Sequence, residues 1–282
     1  MIKFVFLASI VIMACGLESC GGGRKTEAAG EEALAAEEVV VNEYKLTEGL
    51  PSADWAAFPE EAGGWRNLFD GKTLAGWRGY NRPDLPGRWT VDEEAIHIRA
   101  AREEEKGAGR NDILFARKFR NFELEFEWKV AKGANSGVFF YIQEVEGQPS
   151  YISAPEYQIL DNENHPDAGL GKDGNRMSAS LYDMIAAKPQ NARPYGEWNT
   201  GKILCFKGTI VHYQNEVPVV EYHLWTSQWK KLLNAGKFAK EKWPLAYELL
   251  TNCGGNNQEG YIGLQDHGDD VWFRRIRIKL IE

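Results

Sequence analysis

Residues 121–129, NFELEFEWK, alternate without a break: Phe122, Leu124, Phe126 and Trp128 fall on one face, Glu123, Glu125 and Glu127 on the other. Period two over this length predicts an antiparallel strand with one wet face. Residues 136–143 behave differently. Val138, Phe140 and Ile142 make one face and Phe139, Tyr141 and Gln143 the other, so both faces need cover and a ligand is one way to supply it. Further strands are predicted over 87–99, 111–118, 155–160, 202–214, 217–225 and 260–281, each bounded by Gly, Asn, Asp or Pro turns. Gln214-Asn215-Glu216 reads as a hairpin turn. Lys230–Lys242, with Leu232, Leu233 and Phe238 set among lysines, is the best helix candidate, an excursion between strands. No repeat period appears. Many short strands joined by long loops predict an all-β fold: a sandwich, or jelly roll, of two antiparallel sheets with a short helical excursion.

One stretch carries more polar chemistry than a strand needs. In PEYQILDNENH, residues 155–165, Tyr157 and Ile159 share one face while Glu156 and Gln158 share the other. Asp161, Glu163 and His165 follow in the adjoining loop. A solvated edge explains the carboxylates; a site explains their concentration around tyrosines, an amide and a histidine. Gln265 and His267 are likewise two apart on one face, with Asp266 opposite, where it can fix a turn by bonding nearby amides. The i, i+2, i+4 spacing of Asp161, Glu163 and His165 leaves a hard divalent cation open as a ligand. No Cys/His zinc spacing exists, so no metal is assigned. His97, His212 and His223 sit inside alternating strands and read as structural or exposed.

Composition sharpens this picture in three ways. The 282 residues, 43% hydrophobic and 12% aromatic with 29 glycines and 10 tryptophans, supply a sizeable β core. A net charge of −8 with scattered basic residues excludes a nucleic-acid groove. The N-terminus reads as a leader: Lys3 precedes an apolar run from Phe4 to Leu17, too short for a membrane span of roughly 20 residues. Leu17-Glu18-Ser19-Cys20 resembles a lipoprotein lipobox, with Ile12-Met13-Ala14-Cys15 as the competing match. The organisation expected is a signal peptide ending at a lipidated Cys20 (1–20), a tether and approach segment (21–64) in which Trp55 and Phe58 can pack down, and one domain (65–282). Such a chain belongs in the cell envelope, periplasmic or associated with the outer membrane, and meets the membrane through its lipid anchor. There a Cys205–Cys253 disulfide is permitted, and two buried thiols are an equal reading.

Five stretches then combine. WRNLFDGKTLAGW (65–77), GANSGVFF (133–140), PEYQILDNENH, SLYD (180–183) with GEWN (196–199), and GYIGLQDHGDDVWFRRIRIK (260–279) resemble, in order, the motifs of the 3-keto-disaccharide hydrolase domain family. The chain departs from that pattern at Arg275, where Asn is usual, and at Asn215-Glu216, where Asn-Gly is usual. The resemblance implies a concanavalin A-like sandwich acting on glycosides already oxidised to a ketone at C3. The ketone acidifies the C2 proton; its removal gives an enolate, the C1 substituent leaves by elimination, and water adds back. This chemistry needs a base at C2, a proton donor at the leaving oxygen and a group that holds the enolate. On this resemblance His165 or His267 serves as acid or base, with Glu156 or Asp161 as partner or orienter. Tyr182 and Lys172 would polarise the ketone, Asn135, Tyr141, Gln158 and Gln265 would hold the sugar, and Trp198 would stack on it. No cofactor is implied. A non-catalytic carbohydrate-binding module on the same fold is the alternative, and ordinary glycoside hydrolysis by paired carboxylates is a third reading.

Overall fold

The computed structural model describes residues 42–105 and 111–282; the leader, Cys20 and residues 21–41 of the tether lie outside the described residues. The described residues form thirteen strands: β1 (Trp65–Asn67), β2 (Trp77–Gly79), β3 (Trp89–Asp92), β4 (Ala95–Ile98), β5 (Ile113–Phe119), β6 (Phe122–Val130), β7 (Asn135–Ile142), β8 (Glu156–Leu160), β9 (Asn199–Phe206), β10 (Thr209–Gln214), β11 (Val217–His223), β12 (Gly260–Leu264) and β13 (Val271–Leu280). The large sheet runs β11-β10-β9-β6-β13-β4-β3, with β1 also paired to β13, and the small sheet runs β2-β5-β12-β7-β8. The ladders are antiparallel. The sandwich predicted from the alternating segments is therefore the fold. Phe122, Leu124, Phe126 and Trp128 of β6 face the other sheet across the core, and the glutamates between them stay on the polar outer face.

Boundaries differ where a turn hides inside an apolar run. The 87–99 segment is the β3–β4 hairpin, turned by Glu93 and Glu94 at φ 47° and 60°. The 202–214 segment is β9 and β10, turned at Lys207-Gly208, and 260–281 divides into β12 and β13. The helical excursion is two helices rather than one. α1 (Ser227–Ala235) is capped by the Thr226 hydroxyl and stops at Gly236; α2 (Pro244–Thr251) starts on a proline at its first turn. β1 and β2 escape a periodicity search because each is only three residues long.

Part of the approach segment packs on the sandwich. The Thr47 amide donates to the Glu144 carbonyl (2.9 Å) and the Ala53 amide to that of Ala116 (2.8 Å). The ring of Phe58 lies 4.9 Å from Phe115, and Trp55 lies 5.6 Å from Phe119. Cys205 and Cys253 are free thiols, both buried in the core.

Tyr141 is not a sugar ligand. Tyr261 pairs with Ile142 and Gly263 with Phe139, so Phe140 and Tyr141 together oppose Ile262 in a β-bulge, with Tyr141 at φ 59°. The bulge turns Tyr141 into the core, where its ring contacts Phe122 and Trp225 and its hydroxyl donates to the Arg120 carbonyl. Gly260 makes this possible: a Cβ there would lie 2.2 Å from the Tyr141 carbonyl carbon.

His212 ties the two sheets to the site. Its Nδ1–H donates to the Ala179 carbonyl (2.9 Å), which leaves Nε2 to accept from the Tyr222 hydroxyl (3.4 Å). Full burial pushes its pKa down to about 4. A histidine whose folded pKa lies below its unfolded value stabilises the fold above about pH 6.5 and loses that contribution as pH falls toward 4. We expect this one residue to account for about 3 kcal/mol of the acid-side loss of stability. Urea unfolding from pH 7 to 4 should show a shallower decline for His212→Gln than for the wild type, and parallel declines would contradict the assignment.

Candidate active site

The outer faces of β7, β8 and β12 carry the site. β8 is the edge strand of the small sheet, and its pairing sets Phe139 opposite Glu156, Gly137 opposite Gln158 and Asn135 opposite Leu160. Tyr157 and Ile159 enter the core as the alternation predicts. Glu156 and Gln158, on the other face, are buried too, at 7% and 0% exposure, so this is no solvated strand face. The cover comes from the SLYD stretch. The Gln158 amide donates to the Ser180 carbonyl (3.1 Å), the Ala179 amide to that of Gln158 (2.8 Å) and the Tyr182 amide to that of Glu156 (3.2 Å). A loop thus occupies the edge that an unpaired strand would expose.

Glu156 is held across the neighbouring strand. Gln265 Nε2 donates to Glu156 Oε1 at 3.0 Å, and the intervening residue is Gly137, where a Cβ would sit 2.5 Å from that same oxygen. The Gln265 backbone is fixed on both sides, its amide donating to the Gly137 carbonyl (2.9 Å) and its carbonyl accepting from the Ser136 hydroxyl (2.7 Å). Asp266 points the other way, as expected, and fixes the turn: it accepts from the Gly268 amide (2.9 Å) and pairs with Arg88 (2.5 Å). That turn delivers His267 to the same side as Gln265.

These groups line a cavity of about 140 Å³ formed by Asn135, Tyr151, Glu156, Gln158, Tyr182, Lys237, Trp243, Gln265 and His267. Six of the nine are residues singled out from the sequence. The side-chain oxygens of Asn135, Gln158 and Gln265 are buried without a protein partner. The reason is visible in two of them: Gln265 spends its N–H on Glu156, and Gln158 spends its own on the Arg176 carbonyl (3.3 Å). Each of these residues lines the cavity and leaves a buried amide oxygen without a protein hydrogen bond.

Tyr182 contributes its ring rather than its hydroxyl, which donates to Asp167 Oδ2 (3.0 Å). Burial, then the Asp167 and Glu156 carboxylates, push its phenol well above the usual tyrosine range, so it stays neutral. The same Asp167 pairs with Arg176 (2.8 Å), which pairs in turn with Asp183 (2.7 Å). Lys237, Tyr151 and Trp243 were not legible in the sequence; they reach the cavity from the helical excursion and from the turn before β8.

Other expected residues lie elsewhere. Asp161 is a loop brace: one carboxylate oxygen accepts from the Gly133 amide (2.7 Å) and the Asn164 side chain (2.8 Å), the other from the Glu163 amide (3.1 Å). Lys172 is exposed and outside the cavity wall. Trp198 belongs to the large sheet's outer face, beneath the Arg274 guanidinium at 3.9 Å. His165 stands beside His267, ring centres 6.0 Å apart, but is not in the wall. The Asp161-Glu163-His165 set is not brought together. His165, His267 and Asp269 are, with ligand-type atoms within 4.8 Å of one another. Yet Nδ1 of His165 accepts the Asp167 amide (3.1 Å), so the neutral ring carries its proton on Nε2 and offers a donor there instead of a lone pair.

A larger hollow of about 650 Å³ lies on the outer face of the large sheet. Within it Glu125 pairs with Arg277 (2.6 Å), and Glu127 with Arg274 (2.7 Å) and Arg275 (2.9 Å). It shows none of the buried, unmet acceptors found over β8.

The arrangement has relatives. Residues 64–279 match the 3-keto-alpha-glucoside-1,2-lyase-like domain family. The chain belongs to that family. It is 53% identical, over 99% of its length and 100% of the relative's, to a 3-keto-disaccharide hydrolase of Bacteroides thetaiotaomicron. It is also similar to two crystal structures of putative glycosyl hydrolases from Parabacteroides distasonis. One is 26% identical with a TM-score of 0.66, covering 79% of this chain and 96% of that one. The other is 27% identical with a TM-score of 0.56, covering 77% and 99%. The chain is thus an enzyme of this family, and its cavity the place to look for the chemistry.

The Gly137 contact is testable without substrate. Gly137→Ala should cost about 1–3 kcal/mol by forcing Glu156 off Gln265. Gly87→Ala, where a Cβ meets nothing within 4 Å, should stay within about 0.5 kcal/mol of wild type. Equal stability of the two variants in urea unfolding would show that Gly137 does not set the Glu156 position.

Proposed function

We propose that this enzyme cleaves the glycosidic bond of 3-keto-disaccharides and related 3-keto-glycosides by elimination and rehydration in the cavity over β8. The observation that carries the reading is the buried Glu156 carboxylate among three amide oxygens that lack protein partners. The amides suit a polyol: each accepts a sugar hydroxyl and regains the hydrogen bond it lacks. Glu156, oriented by Gln265 and lying on the cavity wall, is the group suited to take the C2 proton. Tyr151, Tyr182 and Trp243 supply apolar walls for the pyranose ring. His267, with the Asp269 carboxylate 4.0 Å behind its Nδ1, stands at the exposed rim, where it can protonate the departing oxygen.

The reaction balances without an oxidant. The C2–H pair of electrons moves into the enolate, collapses to a C1–C2 double bond as the C1–O bond breaks, and the leaving oxygen takes a proton. Water then adds across the double bond, returning a proton to C2 and a hydroxyl to C1. The second carboxylate that ordinary glycosidases need on the far face of the C1–O bond has no counterpart among the described wall residues, where Glu156 is the only acid. We also propose that the enzyme works from the cell envelope, tethered through Cys20, a reading carried by the leader and lipobox-like residues of the sequence.

Purified enzyme should cleave a 3-keto disaccharide and leave its unoxidised parent intact. Glu156→Gln should lower kcat about 10²–10⁴-fold, the usual contribution of a positioned acid or base. Cleavage of the parent sugar, or full activity in Glu156→Gln, would refute the mechanism; binding without turnover would favour a carbohydrate-binding module.

A further inference from the structure

Resting on the reading above, we infer that Lys237 is a catalytic residue, the cation that holds the substrate's C3 oxygen as it becomes an enolate, and that it does so as an ammonium, without bonding covalently to the ketone. Among the described wall residues it is the only lysine or arginine. An enolate-forming site needs a positive or hydrogen-bonding group aimed at the developing oxyanion, and such groups act most strongly away from bulk water.

The surroundings of Lys237 are built to keep it charged and in place. Its Nζ lies 4.3 Å from the centre of the Tyr182 ring, 4.8 Å from Phe238 and 5.4 Å from Tyr151. Three aromatic faces around one ammonium favour the protonated form. Tyr182 stays neutral through burial and the nearby carboxylates, so it meets the ammonium through its ring face. The backbone is fixed as well. The Lys237 amide donates to Asp183 Oδ2 (3.2 Å), whose other oxygen holds Arg176. Gly236 ends α1 immediately before, and Phe238 and Ala239 are buried immediately after. Lys237 is therefore locked, through Asp183 and Arg176, to the same loop that covers β8 and Glu156. An amine that must attack a ketone to form an iminium has to lose its proton first, and an aromatic box opposes that loss. The box instead suits a fixed positive charge that faces an oxygen acquiring negative charge.

Two reactions separate this role from its competitors: cleavage of a 3-keto disaccharide, and exchange of the C2 proton in D2O of a 3-keto 1,5-anhydroalditol, which has no exocyclic leaving group at C1. Lys237→Met fills the same aromatic box without charge. It should lower kcat for cleavage about 10²–10³-fold with KM within a few-fold, and lower the exchange rate by a matching factor. Lys237→Arg should recover part of both. Melting temperatures should match the wild type, because methionine keeps the apolar contacts of the lysine stem with the same rings. If Lys237→Met cleaves as fast as wild type, or if only cleavage and not exchange is lost, the enolate role is overturned. Recovery of a stable adduct on Lys237 after cyanoborohydride treatment with the keto sugar would also overturn it, in favour of an iminium. A wild-type enzyme that leaves the keto disaccharide intact would instead overturn the proposed function itself.

Discussion

One buried hydrogen bond organises the site: Gln265 to Glu156, across Gly137. A carboxylate taken from water needs partners, and here the partner lies on the same small sheet, so β12, β7 and β8 must be in register for the bond to form. Much else follows from it. Gly137 is required because any side chain would occupy the oxygen's place. The Gln265 side-chain Oε1 has no protein partner, while its Nε2 is committed to Glu156. The QDHG turn must run as it does, with Asp266 inward on Arg88, so that Gln265 and His267 emerge on one side. The SLYD loop borders this polar face and the α1–α2 connection lends it Lys237 and Trp243, so water no longer meets all of its polar atoms.

This construction explains what could and could not be read from sequence. Glu156, Gln158, Asn135, Gln265 and His267 all lie on β7, β8 or the end of β12, where period-two alternation tells which residues share a face. The strands therefore disclosed the floor of the cavity. Lys237, Tyr151 and Trp243 come from irregular chain, and no local period says which way such residues point. For that reason Lys172 was named from the sequence and Lys237 was not: both follow a glycine, and only the tertiary fold brings Lys237 to the cavity wall. Tyr141 failed differently. It sits in a strand, but the bulge opposite Ile262 reverses its direction, and a bulge leaves little mark in the sequence beyond the small residues facing it. Asp161 shows a third limit, since a carboxylate that ties a loop's amides and one that moves a proton use the same residue type.

The fold itself was legible because its signals are redundant. Alternation in β6 and β8 told which residues share a face, and turns at Gly and Asn separated many of the strands. Two of the misplaced strand boundaries fell where strands adjoin through a tight turn, as at Glu93-Glu94, which adopts left-handed backbone without a glycine to announce it. Within this frame, the division of labour is chemical. The carboxylate is buried beside amides that accept hydroxyls, and the cation is fenced by rings. In the reaction proposed above, negative charge moves from the base toward the cation across the substrate.

The central claim is that bond cleavage proceeds through loss and return of the C2 proton. It is tested most directly by cleaving a 3-keto disaccharide in D2O and examining the released 3-keto sugar by NMR at early times. The account predicts deuterium at C2 in nearly every product molecule, well ahead of exchange in a control without enzyme. Product that retains its C2 proton would contradict it.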